Sequence, residues 1–194
     1  MAVKTPAGMV VVKKEDKEPK LRTLLIDGLS DLARARAANP AATAELRLVA
    51  LSMTSPVVQA IAAVRNELIA AGVEARVVLA KAGTDLRLSI GQSTSYRHLA
   101  DVRCHDAHEF LVLGATTAWI GDCMRRDPAT RDSFELHAAA SEDVARGVAI
   151  SFDKMWQLAV PFEMIEDRAA LDMAGDLAAL GQDAAPAPQI LTRH

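Results

Sequence analysis

Apolar residues recur along the chain at two spacings, and the alternation between them lays out most of the expected elements. From Pro19 to Ala38, Leu21, Leu24, Leu25, Leu29 and Leu32 fall at helical spacing. Pro19 suits a first turn and Asn39-Pro40 a stop, so the segment predicts an amphipathic helix with one core stripe. The run LRLVALSM, 46–53, has a strand-compatible pattern. Thr54-Ser55-Pro56 then supplies an N-cap and a first-turn proline for the helix VVQAIAAVRNELIAAG, which Gly72 ends, and ARVVLAK follows as a strand. This strand, helix, strand order has the length of a right-handed crossover between parallel strands.

Beyond Lys81 the pattern breaks up. Residues 82–100 scatter Gly83, Gly91 and several hydroxyl side chains around LRLSI and read as a long loop, in which GQSTSYRH is a polar surface stretch. DVRCH, EFLVLG, TAWIGDC and SFELHA read as successive short strands. Ser141 then caps the helix SEDVARGVAISFDKMWQLA, with Glu142 and Asp143 placed against the positive end of its dipole. The expected organisation is a flexible segment over 1–18, a single α/β domain over 19–181, and a flexible Pro/Ala tail over 182–194.

Composition narrows the function. With 194 residues, 51% of them apolar, the chain can bury one good core. A net charge of -3 excludes attachment to nucleic acid through a global positive field, and an aromatic content of 4% offers little stacking surface for single strands. No segment approaches the ~20 consecutive apolar residues of a membrane span, and no secretory core is visible. The two cysteines, Cys104 and Cys123, form no CxxC pair, and reduced thiols in the cytoplasm are the expectation. GQSTSYRH lacks the glycine spacing of a phosphate loop, so no cofactor is expected.

The richest chemistry lies in CHDAHEFLVLG, 104–114. On a strand, His108, Phe110, Val112 and Gly114 share one face, and Glu109, Leu111 and Leu113 share the other. His105 has the opposite parity to His108, which disfavours a metal site built from Cys104, His105 and His108; no metal is expected. Arg97, Arg125 and Arg126 are candidate anion ligands. Asp122, Asp127 and Asp132 neutralise the arginines of DCMRRDPATRD, which favours a salt-linked loop.

The order of these elements resembles one half of a phospholipase D-like protein, over about residues 46–158. In that superfamily a strand carrying H-x-K-x4-D precedes an iGS-x-N turn, a strand with an acidic residue, and a helix ending in phenylalanine and tryptophan. The matching parts are His108 with EFLVLG, Ala118-Trp119-Ile120-Gly121, Phe134-Glu135, and Phe152 with Trp156. The resemblance implies an α/β mixed sheet flanked by helices. It also implies a homodimer of two such halves about a two-fold axis, through a patch near His108 and Asp122.

The chain departs from the motif where phosphate would be held. In the family the histidine forms a phosphohistidine and the lysine two places on holds the phosphate; here Phe110 stands in the lysine's place. The motif aspartate falls at Ala115, or at Gly114 with a shift, and the serine and asparagine of the turn become Asp122 and Met124. The expected function is therefore a non-catalytic binding or assembly module with an unidentified protein partner, His108 being the catalytic candidate if activity survives. Ligand-binding candidates are Arg97, Asp122, Arg125, Arg126 and Glu135. The alternatives are a phosphodiesterase or nuclease in which an arginine replaces the lysine, and a nucleic-acid-binding protein using Arg97, Arg103, Arg125 and Arg126.

Overall fold

The computed structural model describes residues 8–81, 90–91, 93–100, 108–121 and 133–162. The leucine stripe forms α1 (Lys17–Ala38), in which Leu21, Leu24, Leu25, Leu29 and Leu32 are buried as their spacing requires. A strand β1 (Gly8–Val12) and a 3-10 turn (Lys14–Asp16) precede it. Residues 8–18, expected within a flexible lead-in, are thus structured. The strand that this five-residue run pairs with lies more than a hundred residues away in the sequence.

The crossover unit follows as β2 (Glu45–Ala50), α2 (Pro56–Ala63), α3 (Arg65–Ala70) and β3 (Glu74–Leu79), with β2 and β3 parallel. The single helix expected over 57–72 is interrupted at Val64, whose N–H bonds three residues back to the Ile61 carbonyl at 3.1 Å before Leu68 resumes the four-residue ladder on Val64. GQSTSYRH corrects the surface-loop expectation: Ser93–His98 is β4, parallel to β3. Its side chains are too polar for alternation to reveal it.

Next come β5 (Phe110–Leu113), β6 (Thr117–Ile120), β7 (Ser133–Ala138), α4 (Glu142–Leu158) and β8 (Val160–Pro161). Among the described residues, eight strands form one mixed sheet in the order β1-β7-β6-β5-β2-β3-β4-β8. The expected α/β architecture, a mixed sheet flanked by helices, is what the chain adopts. Phe110, Val112 and Ala118 face α4, where they pack with Val148 and Phe152. The alternate residues Leu113 and Thr117 face α1, which comes close through Gly28: a Cβ there would lie 2.9 Å from Thr117 Oγ1. These elements belong to a unit that ends at Pro161. The extension to residue 181, the tail after it and the expected strand DVRCH lie outside the described residues.

Candidate functional site

Ligands of open α/β sheets gather beyond the carboxyl ends of the parallel strands. Here that edge is defined by the ends of β2, β3 and β4. Val49 stands opposite Phe110, and Phe110 opposite Ile120, so the start of β5 and the end of β6 reach the same edge. His108 is exposed there, one residue before Glu109 and two before β5. Together with Phe110, Ile120, Asp143, Val144 and Ser151 it lines a cleft of ≈ 540 Å³ between the sheet and α4. The strand parity read from the sequence therefore holds: His108 and Phe110 look the same way.

Phe110 is only 7% exposed and belongs to the apolar cluster under α4. The position matched to the family's lysine is a core position. Ala115 is exposed in the turn between β5 and β6, beside Gly114 at φ +60°, and that turn closes the far end of β5. Seven residues at ~3.3 Å each put it on the order of 20 Å from His108. Its identity therefore has no direct bearing on phosphate chemistry at His108.

On the other face of the sheet lies a buried charge cluster that the sequence did not announce. Glu135 is fully buried, and its carboxylate accepts a hydrogen bond from Trp119 Nε1 at 2.8 Å. Lys17 Nζ lies 3.2 Å from its other oxygen, and His137 Nε2 lies 3.1 Å from the oxygen shared with Trp119. Burial alone would raise the Glu135 pKa, but the hydrogen bonds of His137 and Trp119 and the charge and hydrogen bond of Lys17 outweigh it and hold the carboxyl at about 2. Expected as a ligand-binding candidate, Glu135 instead has its carboxylate engaged by these internal partners. Glu109 extends the cluster: one oxygen accepts from the Leu51 N–H at 3.0 Å and the other lies 3.9 Å from Lys17. Lys17 thus joins the start of α1 to β5 and β7 directly beneath the His108 edge. A lysine in the first turn of an amphipathic helix looks like solvated surface, and only the two distant carboxylates mark it as buried.

Arg97 is likewise engaged within the fold. It donates to the carbonyls of Trp156 at 2.8 Å and Ala159 at 3.4 Å, and its guanidinium lies 4.5 Å from the centroid of the Trp156 ring. It completes the carboxyl end of α4, where a cation opposes the helix dipole. Arg76 approaches the same ring at 5.5 Å and bonds Glu45, whose pKa burial would raise but the hydrogen bonds and charges of Arg76 and Arg47 lower. Arg103, Asp122, Arg125 and Arg126, with Cys104, His105 and Cys123, lie outside the described residues. Among the described residues no three His, Cys, Asp or Glu side chains are grouped to hold a metal, and no helix is long and apolar enough to cross a membrane.

No protein-family model matches the sequence, and comparison with curated proteins finds no match. Solved structures do match the fold. Nuc from Salmonella typhimurium, a phospholipase D family member, aligns with a TM-score of 0.49 at 15% identity, covering 80% of this chain and 97% of that one. NucT from Helicobacter pylori aligns at 0.47 and 12% identity, covering 80% and 99%. TrmBL2, an archaeal chromatin protein with its own mode of DNA binding, aligns at 0.47 and 14% identity over 80% of this chain, which spans only 55% of that protein.

Proposed function

We propose that this chain is a phospholipase D-like binding or assembly module that does not turn over phosphodiesters. Phe110 carries the reading. It shares a face with His108 at the place where the resembled family has its lysine, and it is packed under α4. A histidine attacking phosphorus needs a cation to neutralise the charge developing on the phosphoryl oxygens. Among the described residues, the wall nearest His108 offers aromatic and aliphatic surface, with Asp143 the acidic residue along the cleft. That lining suits an apolar side chain carried by a protein partner, with His108 and Ser151 available for a hydrogen bond. A homodimer and a cytoplasmic setting belong to the same proposal.

Turnover of a chromogenic phosphodiester and trapping of phosphohistidine test it, each compared between the natural protein and His108→Ala. The expected result is no difference from background for either protein. Turnover that disappears with His108 would overturn the reading and restore the phosphodiesterase alternative.

A further inference from the structure

His108 lines the cleft on the α4 face of the sheet, and Lys17 is buried on the α1 face, yet a single residue joins them. We infer that Lys17 is a positioning residue for the His108 cleft: acting through Glu109 from the opposite face, it fixes where the chain enters β5 and which way His108 points. This rests on the proposed binding module and adds how its site is held.

Glu109 follows His108 directly, and consecutive residues of an extended chain point to opposite faces. The carboxylate therefore goes to the buried cluster when the imidazole goes to the cleft. One Glu109 oxygen accepts from the N–H of Leu51, the residue after β2, at 3.0 Å, and the Glu109 carbonyl accepts from the N–H of Gly121, the residue after β6, at 2.8 Å. Glu109 is thereby tied to both strands that flank β5. Its second carboxylate oxygen lies 3.9 Å from Lys17 Nζ, an ion pair and not a hydrogen bond, while Glu135 in β7 holds the same ammonium at 3.2 Å.

Burial gives this contact its weight. The Lys17 and Glu109 side chains are 5% and 10% exposed, so solvent screens them far less than a surface pair. Lys17 stands between two carboxylates, with His137 on the far side of Glu135 at 3.1 Å. Its charge is what lets Glu109 and Glu135 share one cluster. Without it, Glu109 turns towards water at the edge where His108 lies, and the start of β5 loosens with it.

The test uses the full chain and takes His108 as its own probe, through the rate at which diethyl pyrocarbonate modifies it, located by peptide mass spectrometry. Near pH ~8 an ordinary imidazole is neutral, so the rate reads access and not charge. Glu109→Gln keeps the shape and the bond from Leu51 but removes the ion pair, and is expected to raise the His108 rate by about threefold or more. Lys17→Met is expected to do the same, and where that variant fails to fold, Glu109→Gln still gives the answer. Leu68→Ala, a truncation of a buried side chain in α3, is the control for a general loss of stability and is expected to leave the rate unchanged. An unchanged rate in folded Glu109→Gln overturns the positioning role, as does an equal rise in Leu68→Ala. Turnover that depends on His108 would instead overturn the binding-module reading and leave the result at Lys17 standing.

Discussion

Lys17 Nζ lies 3.2 Å from Glu135 Oε1 and 5.2 Å from the centre of the Trp119 ring, and both charged side chains are buried. The pair joins the amino end of a helix to a strand more than a hundred residues later. It is the clearest case in this chain of a charge whose function is architectural.

The first prediction concerns acid. Glu135 titrates near 2 in the folded chain against an ordinary value of 4.5, so folding favours its ionised form. Its contribution is complete above the unfolded value and is withdrawn as pH falls from there through the folded one. A shift of this size corresponds to on the order of 3 kcal/mol. Denaturant midpoints measured from neutral pH downward should fall across that window. Glu135→Gln should cost about 3–5 kcal/mol at neutral pH, because it strands the Lys17 ammonium, and should flatten the acid dependence. An unchanged slope in that variant would remove Glu135 as its source.

Arg97→Ala should destabilise the chain by about 1–3 kcal/mol, through loss of the bonds to the Trp156 and Ala159 carbonyls and of the stack on the Trp156 ring. Arg97→Lys should recover only part of this, since an ammonium has neither the planar face nor the fork. Equilibrium unfolding measures both. Full stability in Arg97→Ala would mean that the arginine does not hold the end of α4.

Gly91→Ala and Gly121→Ala test two close approaches. A Cβ at Gly121 would lie 2.5 Å from Cζ2 of Trp119, whose ring covers that glycine, and one at Gly91 would lie 2.4 Å from the Val73 carbonyl oxygen. Overpacking of this kind costs about 1–3 kcal/mol. Gly91→Ala should be the more costly, because a backbone carbonyl yields less readily than a ring edge. Gly121→Ala should also alter the fluorescence of Trp119, and an unperturbed spectrum at full stability would contradict the packing described.

These sites show what the sequence made legible. Helix α1, the β2 to β3 crossover and α4 were readable because their burial follows from local periodicity. The parity of His108 and Phe110 was readable because strand geometry alone decides it. β1 and β4 were not. GMVVV is short and flanked by charges, and STSYRH alternates hydroxyl, aromatic and basic side chains, so each becomes a strand through neighbours distant in the sequence. The internal partners of Lys17, Glu135 and Arg97 were not legible for the same reason: they lie far away in the sequence.

The last prediction concerns restoring the phosphate site. Phe110→Lys, Asp122→Ser and Met124→Asn would return the motif residues of the resembled family, while Ala115→Asp alters a turn at the far end of β5. Of these, Phe110→Lys should dominate the outcome. Phe110 packs against Val148 and Phe152, and replacing it both removes a buried ring, at about 3–5 kcal/mol by analogy with truncation to alanine, and desolvates an ammonium. A lysine there has two outlets: unfold the α4 face, or snorkel along the cleft towards Asp143. Phe110→Met separates packing from charge, since it keeps most of the volume and should cost much less. The combined variant should therefore unfold at lower denaturant than the natural protein and gain no stabilisation from vanadate. Vanadate-dependent stabilisation of a folded combined variant would show that the cleft readily readmits the lysine and that its phosphate affinity depends on side-chain identity alone.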